Sequence, residues 1–163
     1  ARQRELLILT DELAAASDQL LITTNDGSAG RAGFVTDALR DWMSAHGRLD
    51  LVLAIGPVAM MRGVADVTRT ARVPTRVSLN SIMIDGTGMC GGCRVIVGGA
   101  ARFACVDGPE FDAHQVDFDI LEQRNAMYRD DERRAWEAHV EQLTGDDRPM
   151  NEQCRLMSYG AGE

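Results

Sequence analysis

Three of the four cysteines in this 163-residue chain lie between Cys90 and Cys105, and an aspartate precedes the first of them by five positions. The spacing is Asp85-x4-Cys90-x2-Cys93-x11-Cys105. Plant-type iron–sulfur sites use Cys-x4-Cys-x2-Cys and then a distant fourth cysteine. The stretch reproduces that pattern with Asp85 at the first position, and a carboxylate replaces a thiolate at the same formal charge. A loop wrapped around a cluster must bring its backbone close to inorganic sulfides, which needs unusual backbone angles. "DGTGMCGGC" supplies them through Gly86, Gly88, Gly91 and Gly92. The expected ligand set is Asp85, Cys90, Cys93 and Cys105, and the expected group is a 2Fe-2S cluster.

Two other chemistries use the same residues. Tetrahedral zinc is held by Cys-x2-Cys knuckles, and His114, nine residues past Cys105, would be its fourth ligand. Three buried thiols with no ligand also form a small hydrophobic cluster. Cys154 lies far along the chain and reads as a free cysteine. His114 itself reads as a surface or loop residue.

A second constellation sits earlier. "NDGSAGRAG" at 25–33 follows an apolar run and precedes a helical pattern. That is the carboxyl end of a strand in an open α/β sheet, where ligands bind. Asp26 is placed to accept from ribose hydroxyls, and Gly27, Ser28 and Gly30 to line an adenosine site. The plain alternative is that Asp-Gly-Ser is only a turn. Arg2 and Arg4 are candidates for a nucleotide phosphate.

These groups need a scaffold. Leu6, Leu9, Leu13 and Ala16 recur at helical spacing, which predicts a helix over 2–16. "QLLITT" at 19–24 predicts a buried strand, and 34–47 a helix carrying Val35, Leu39, Trp42 and Met43 on one face before Gly47. "LDLVLAIG" at 49–56 predicts a strand buried on both faces. Pro57 suits the first position of the next helix, over 58–69, and 75–80 is a further strand. Strands alternating with helices imply a parallel sheet with flanking helices. Two strands at 93–97 and 101–105 around Gly98–Gly99 predict a hairpin that carries Cys105 on its second strand. Residues 107–119 read as a loop covering the cluster, and 116–143 as a charged helical stretch. Tyr128 and Trp136 would dock that stretch on the module or on a partner. Met43, Met60 and Met61 read as packing residues. The domains expected are 1–80, 81–115, 116–145 and a tail at 146–163.

Composition narrows the function. The balance of 17 Lys+Arg against 25 Asp+Glu gives a net charge of −8, which disfavours nucleic acid as a partner because phosphate neutralisation needs clustered basic residues. No apolar run reaches the roughly 18 residues of a membrane span, and the opening residues show no secretory pattern. The expected compartment is the cytoplasm, where clustered cysteines read as metal-binding or catalytic. No Ser/His/Asp or paired-carboxylate constellation is evident, which suits a protein that positions electron carriers.

From "GPVAMMRGVADVTR" through "VSLNSIMIDGTGMCGGCRVIVGG" to "RFACVDGPEFDAHQVDF", the chain resembles the small flavin and iron–sulfur subunit of NADH-dependent ferredoxin:NADP oxidoreductase, also called sulfide dehydrogenase. It is related to the electron-transfer subunit of dihydroorotate dehydrogenase. "TTNDGSAGRAGFVTDAL" is similar to the nicotinamide-nucleotide segment of the same family. The resemblance implies a ferredoxin-reductase-like layout: an FAD-binding β-barrel, an NAD(P)-binding domain, then a 2Fe-2S module. It implies one aspartate and three cysteines as cluster ligands, here Asp85, Cys90, Cys93 and Cys105. It implies FAD held upstream of Ala1, NAD(H) or NADP(H) as the nucleotide, and a large flavin and iron–sulfur oxidoreductase subunit as partner. The barrel and the glycine-rich turn that opens the nucleotide domain are expected upstream. Relatives carry Cys-Gly-x-x-x-Met at the nicotinamide end, whereas this chain has Ile55 at the cysteine position, leaving Gly56 and Pro57 to shape the pocket. The rival function is a zinc-knuckle interaction module on a small α/β domain.

Overall fold

A computed structural model describes residues 1–144; Cys154 and the tail expected over 146–163 lie outside the described residues. The chain divides into two compact units, Ala1–Glu122 and Gln123 onward.

The first unit is a mixed α/β structure with short strands. Its helices are α1 (Thr10–Ala16), α2 (Val35–His46), α3 (Val58–Ala71), α4 (Ala104–Asp107) and the start of α5 (Phe118–Asn125). Its strands are β1 (Thr23–Thr24), β2 (Arg31–Ala32), β3 (Val52–Ile55), β4 (Thr75–Ser78), β5 (Arg94–Val97), β6 (Ala100–Phe103) and β7 (Glu110–Asp112). α2 stops where Gly47 turns to a positive φ and its N–H caps the Met43 carbonyl. α3 sets Met61, Val64, Ala65 and Thr68 inward at helical spacing. Met61, Val64 and Ala65 pack with Val77, Leu79, Val95, Phe111 and Leu121 into one core, to which Cys93 also belongs.

The central sheet has the order β3–β4–β7. β3 and β4 are parallel, with Ala54 beside Val77, and β7 joins antiparallel, with Phe111 beside Val77. This corrects the loop expected over 107–119. β7 has three residues with one apolar side chain, too short for alternation to register, and its place is decided by the burial of Phe111 against Val77. The sheet and the core therefore cross residue 80, where a boundary was expected.

Four further expectations are corrected. The helix expected over 2–16 is a 3-10 turn at Arg4–Leu6 followed by α1, with Leu9 at φ 55 between them. None of these residues is buried, so the leucine stripe lacks the packing that holds short helices together. The strand expected over 19–24 is only β1, and it pairs parallel with β2 inside the expected loop rather than joining β3. Pro57 is the residue before α3 rather than its first residue. Cys105 lies on α4, two residues beyond the hairpin of β5 and β6.

Beyond Glu122, the charged stretch is broken between α5 and α6 (Arg129–Thr144). α6 carries i,i+3 pairs, Arg133 with Asp130 and Arg134 with Asp131. Tyr128 and Trp136 are exposed, and the Trp136 ring lies 6.0 Å from His139. No helix among the described residues is long and apolar enough to cross a membrane.

Candidate functional site

The cysteine loop runs from Met83 to Cys93 without regular structure. Gly86, Gly88 and Gly91 adopt φ of 75, 83 and 69, the left-handed region that glycine enters without penalty. The Asp85 carboxylate accepts the Thr87 N–H at 2.8 Å through Oδ1 and the Cys90 N–H at 3.1 Å through Oδ2. The first of these bonds chiefly holds the Asp85 carboxyl below its ordinary pKa. Asp85 and Cys90 thus lie beside each other in the loop, both exposed.

Cys93 and Cys105 meet directly. β5 begins directly after Cys93 and α4 follows β6, so the hairpin returns the chain to its own start. The Ala104 N–H bonds to the Cys93 carbonyl at 3.1 Å. The two sulfurs lie 3.2 Å apart, and the Cys105 N–H points at the Cys93 sulfur at 3.5 Å. Burial pushes the Cys93 thiol up, but the bonds from Cys105 outweigh it and the net direction is down. Cys105 moves up because its hydrogen bond to Cys93 holds its proton. The Gly92 N–H points at the Cys90 sulfur at 3.4 Å.

The four residues are grouped two and two. No three His, Cys, Asp or Glu side chains among the described residues converge on one point as a mononuclear metal site would require. His114 is not beside the cysteines. Its Nε2 lies 3.0 Å from the Thr68 hydroxyl on α3, and its carbonyl accepts Arg69 Nη1 at 3.0 Å. Met83, Ile84, Met89 and Val106 are exposed, placing an apolar rim beside the thiols.

The nucleotide candidates fall into two groups. Asp26 Oδ1 accepts the Ser28 hydroxyl at 2.6 Å and the Ser28 N–H at 2.9 Å. These bonds, the hydroxyl first, lower the Asp26 pKa. The Ser28 hydroxyl in turn accepts the Arg4 N–H at 2.8 Å. Gly30 is required where it stands: at φ +63, an added Cβ would lie 2.1 Å from the Ile22 carbonyl oxygen. That oxygen accepts the Arg31 N–H at 2.9 Å. Asp26, Gly27, Ser28 and Gly30 thus build a tight turn.

A cleft of about 520 Å³ opens between the start of α2 and the start of α3, within the usual range for small-molecule sites. Arg2, Asn25, Phe34, Thr36, Pro57 and Met60 line it. Of the residues singled out in the sequence, Arg2, Val35, Pro57 and Met60 reach this cleft, and the Asp26–Gly30 turn does not line it. Gly56 backs it, because an added Cβ would lie 2.4 Å from the Met60 methyl. Asn25, Phe34 and Thr36 were missed. Their signal was position, just past a strand or at the opening of a helix, where open α/β sheets bind ligands. Met61 is fully buried, whereas Met43 borders a separate groove.

Residues 80–117 match the family model described as the iron–sulfur cluster binding domain of dihydroorotate dehydrogenase B. Over 137 residues the chain is 50% identical to a dihydroorotate dehydrogenase B (NAD(+)) electron transfer subunit homolog of Thermotoga maritima, covering 84% of this chain and 48% of that one. It is 34% identical over 115 residues to the electron transfer subunit of that enzyme from Clostridium perfringens, covering 71% and 45%. Among solved structures, one reporting on flavin-based electron bifurcation by NADH-dependent reduced ferredoxin-NADP oxidoreductase superposes with a TM-score of 0.75 at 47% identity, over 85% of this chain and 50% of that one. The chain thus spans about half the length of the relatives it matches.

Proposed function

From the premise that residues 80–117 form an iron–sulfur cluster binding domain of the dihydroorotate dehydrogenase B type, we propose that this chain is the nucleotide-facing and cluster-bearing part of an electron-transfer oxidoreductase subunit. It connects a nicotinamide nucleotide and a flavin to a 2Fe-2S cluster and, through that cluster, to a larger flavin and iron–sulfur partner subunit.

The observation that carries this reading is the grouping of the donors. A two-iron cluster takes two protein ligands per iron, whereas one zinc ion gathers four around a single point. The Cys93 and Cys105 sulfurs meet directly, and the Asp85 carboxylate is bonded to the Cys90 backbone N–H, so the four residues are grouped two and two. The Gly92 and Cys105 N–H groups aimed at sulfur support the same reading, because hydrogen bonds to sulfur tune cluster potentials. When bound, the cluster supplies one-electron storage. The residues hold it: Cys93 is anchored in the core, Cys105 is returned to it by the hairpin, and Asp85 and Cys90 form the exposed side.

The cleft between α2 and α3 is the proposed nicotinamide-nucleotide site. Pro57 and Met60 shape one wall, and Arg2 and Asn25 supply polar contacts. Asp26, Gly27, Ser28 and Gly30 act there by fixing the turn that presents Asn25, and Gly56 acts by leaving room for Met60. In this reading FAD binds outside residues 1–163, as the resemblance implies.

The test is anaerobic purification of the native complex, followed by metal, sulfide and spectral analysis and by titration with NADH or NADPH. About two irons and two acid-labile sulfides per chain are expected, with visible absorbance bleached by one of the nucleotides. Stoichiometric zinc in a colourless protein without labile sulfide would establish the interaction-module reading instead.

A further inference from the structure

At the far end of α3 from the nucleotide cleft, a second cleft of about 440 Å³ is lined by Arg69, Arg72, Arg76, Thr75, Asp112 and His114. Helix α3 has 14 residues, so about 20 Å separates its two ends. We propose that this cleft binds a small anion bearing a phosphate or pyrophosphate group.

Charge is the first argument. The chain carries −8 overall, yet three arginines line this one recess. Arg31, Arg40, Arg62, Arg133 and Arg134 each pair with a carboxylate. Among the described residues, Arg69, Arg72 and Arg76 form no such ion pair; other arginines such as Arg48 and Arg102 form none either, and what sets these three apart is that they line one recess. Asp112 faces Arg76 across the β4–β7 ladder and feels its positive charge without an ion-pair contact, and its carboxylate accepts the His114 N–H at 2.9 Å and Gln115 Nε2 at 2.8 Å. Guanidinium forks pair with phosphate oxygens in bidentate fashion.

The second argument is backbone geometry. α3 ends in a Schellman motif: Val73 N–H bonds the Thr68 carbonyl at 3.0 Å and Arg72 N–H bonds the Arg69 carbonyl at 3.1 Å. The residue in the left-handed position of such a motif is usually glycine. Here it is Arg72, at φ 52 and ψ 39. Glycine would occupy this position without strain, whereas arginine is held there against a steric penalty. A cation at a helix carboxyl end gains from the dipole, but an arginine in the last turn itself would gain it without the strain. Arg69 is already held in place by the His114 carbonyl. A protein surface would spread over a far larger area than this recess, and the volume suits a small molecule.

Pyrophosphate and ADP, titrated calorimetrically into the full-length chain in its native complex, supply the test. Saturable pyrophosphate binding is expected. Arg72→Gly should raise Tm and weaken pyrophosphate at least about tenfold, the loss of one charged hydrogen bond. Arg76→Ala should weaken it comparably, while Arg133→Ala, on α6, should not. Equal affinities for pyrophosphate and ADP identify the phosphate group alone as the determinant, and tighter ADP binding through Arg72 identifies a nucleotide. No saturable binding, or binding unchanged in Arg72→Gly, overturns the proposal. If Arg76→Ala fails to fold, Arg76→Lys, which keeps the charge without the fork, must still weaken pyrophosphate; unchanged binding there also overturns it. None of these readouts depends on the cluster or on electron transfer.

Discussion

The Cys93 and Cys105 sulfurs lie 3.2 Å apart although eleven residues separate them. One ends a glycine loop and the other lies on α4, and the β5–β6 hairpin closes the circuit. A metal-bound thiolate pair at about 2.3 Å from a shared tetrahedral ion has its sulfurs roughly 3.7 Å apart, so only a small opening of this pair admits iron. Cys93→Ser and Cys105→Ser are expected to lower iron and labile sulfide from about two per chain to less than about half that. Cys93→Ser should also destabilise the fold by about 1–3 kcal/mol, because it places a hydroxyl in the core. Iron analysis and thermal melts of both variants check this, and full iron retention in both would remove the pair from the site.

Asp85 holds the loop through the Thr87 and Cys90 N–H groups and is the proposed fourth ligand. Three substitutions separate these roles. Asp85→Cys is expected to keep a cluster with four thiolates and a shifted spectrum and potential. Asp85→Asn keeps an oxygen acceptor for Thr87 N–H but removes the charge, and should make the cluster labile. Asp85→Ala should lose both functions. If the spectrum and midpoint potential stay at wild-type values in Asp85→Cys, the carboxylate is only a turn residue, worth at most about 1 kcal/mol.

Gly30 and Gly56 both face close contacts, but of different kinds. At Gly30 the obstacle is the backbone carbonyl of Ile22, which cannot swing aside. Gly30→Ala should cost about 2–4 kcal/mol and lower Tm by roughly 5–15 °C. At Gly56 the obstacle is the end of the Met60 side chain, which can rotate away. Gly56 also holds φ +158, where alanine is strained, so Gly56→Ala should cost about 1–3 kcal/mol and also raise KM for the nicotinamide nucleotide, because Met60 is pushed into the cleft. Paired thermal melts and steady-state kinetics check the contrast.

The bonds from Ser28 to Asp26 set a pH dependence. A carboxyl whose folded pKa is depressed adds stability above its unfolded pKa, near 3.9, and loses it as pH falls through the lower folded value. The Asp26 turn should therefore stay intact between pH 5 and 8. Its carboxyl should titrate below the ordinary aspartate range when followed by NMR. Ser28→Ala should move that midpoint upward, and an unmoved midpoint would mean that the hydroxyl bond does not form.

Much of the cluster region was legible in the residues themselves. The Asp85-x4-Cys90-x2-Cys93 spacing and its glycines are local, and local spacing survives folding because chemistry of this kind needs short loops. α2 and α3 were legible for a similar reason, since helical bonds connect residues four apart and the apolar stripe repeats at the same period. Gly47 marked the end of one and Pro57 the approach to the other.

Tertiary structure decided the rest, through contacts between residues distant in the chain. Nothing in "EFD" indicates that Phe111 will lie beside Val77 as a third strand. The leucines of residues 2–16 display a helical period, but no described residue buries them, and the period alone does not hold a continuous helix. The cleft between α2 and α3 takes Asn25, Phe34 and Thr36 rather than Asp26 and Ser28 because strand ends and helix starts converge there only after α2 packs on α3. Spacing could place Cys90 near Cys93, but only the hairpin and α4 bring Cys105 to Cys93 and leave Asp85 to Cys90. Sequence separation says which donors exist, and long-range packing decides which of them meet.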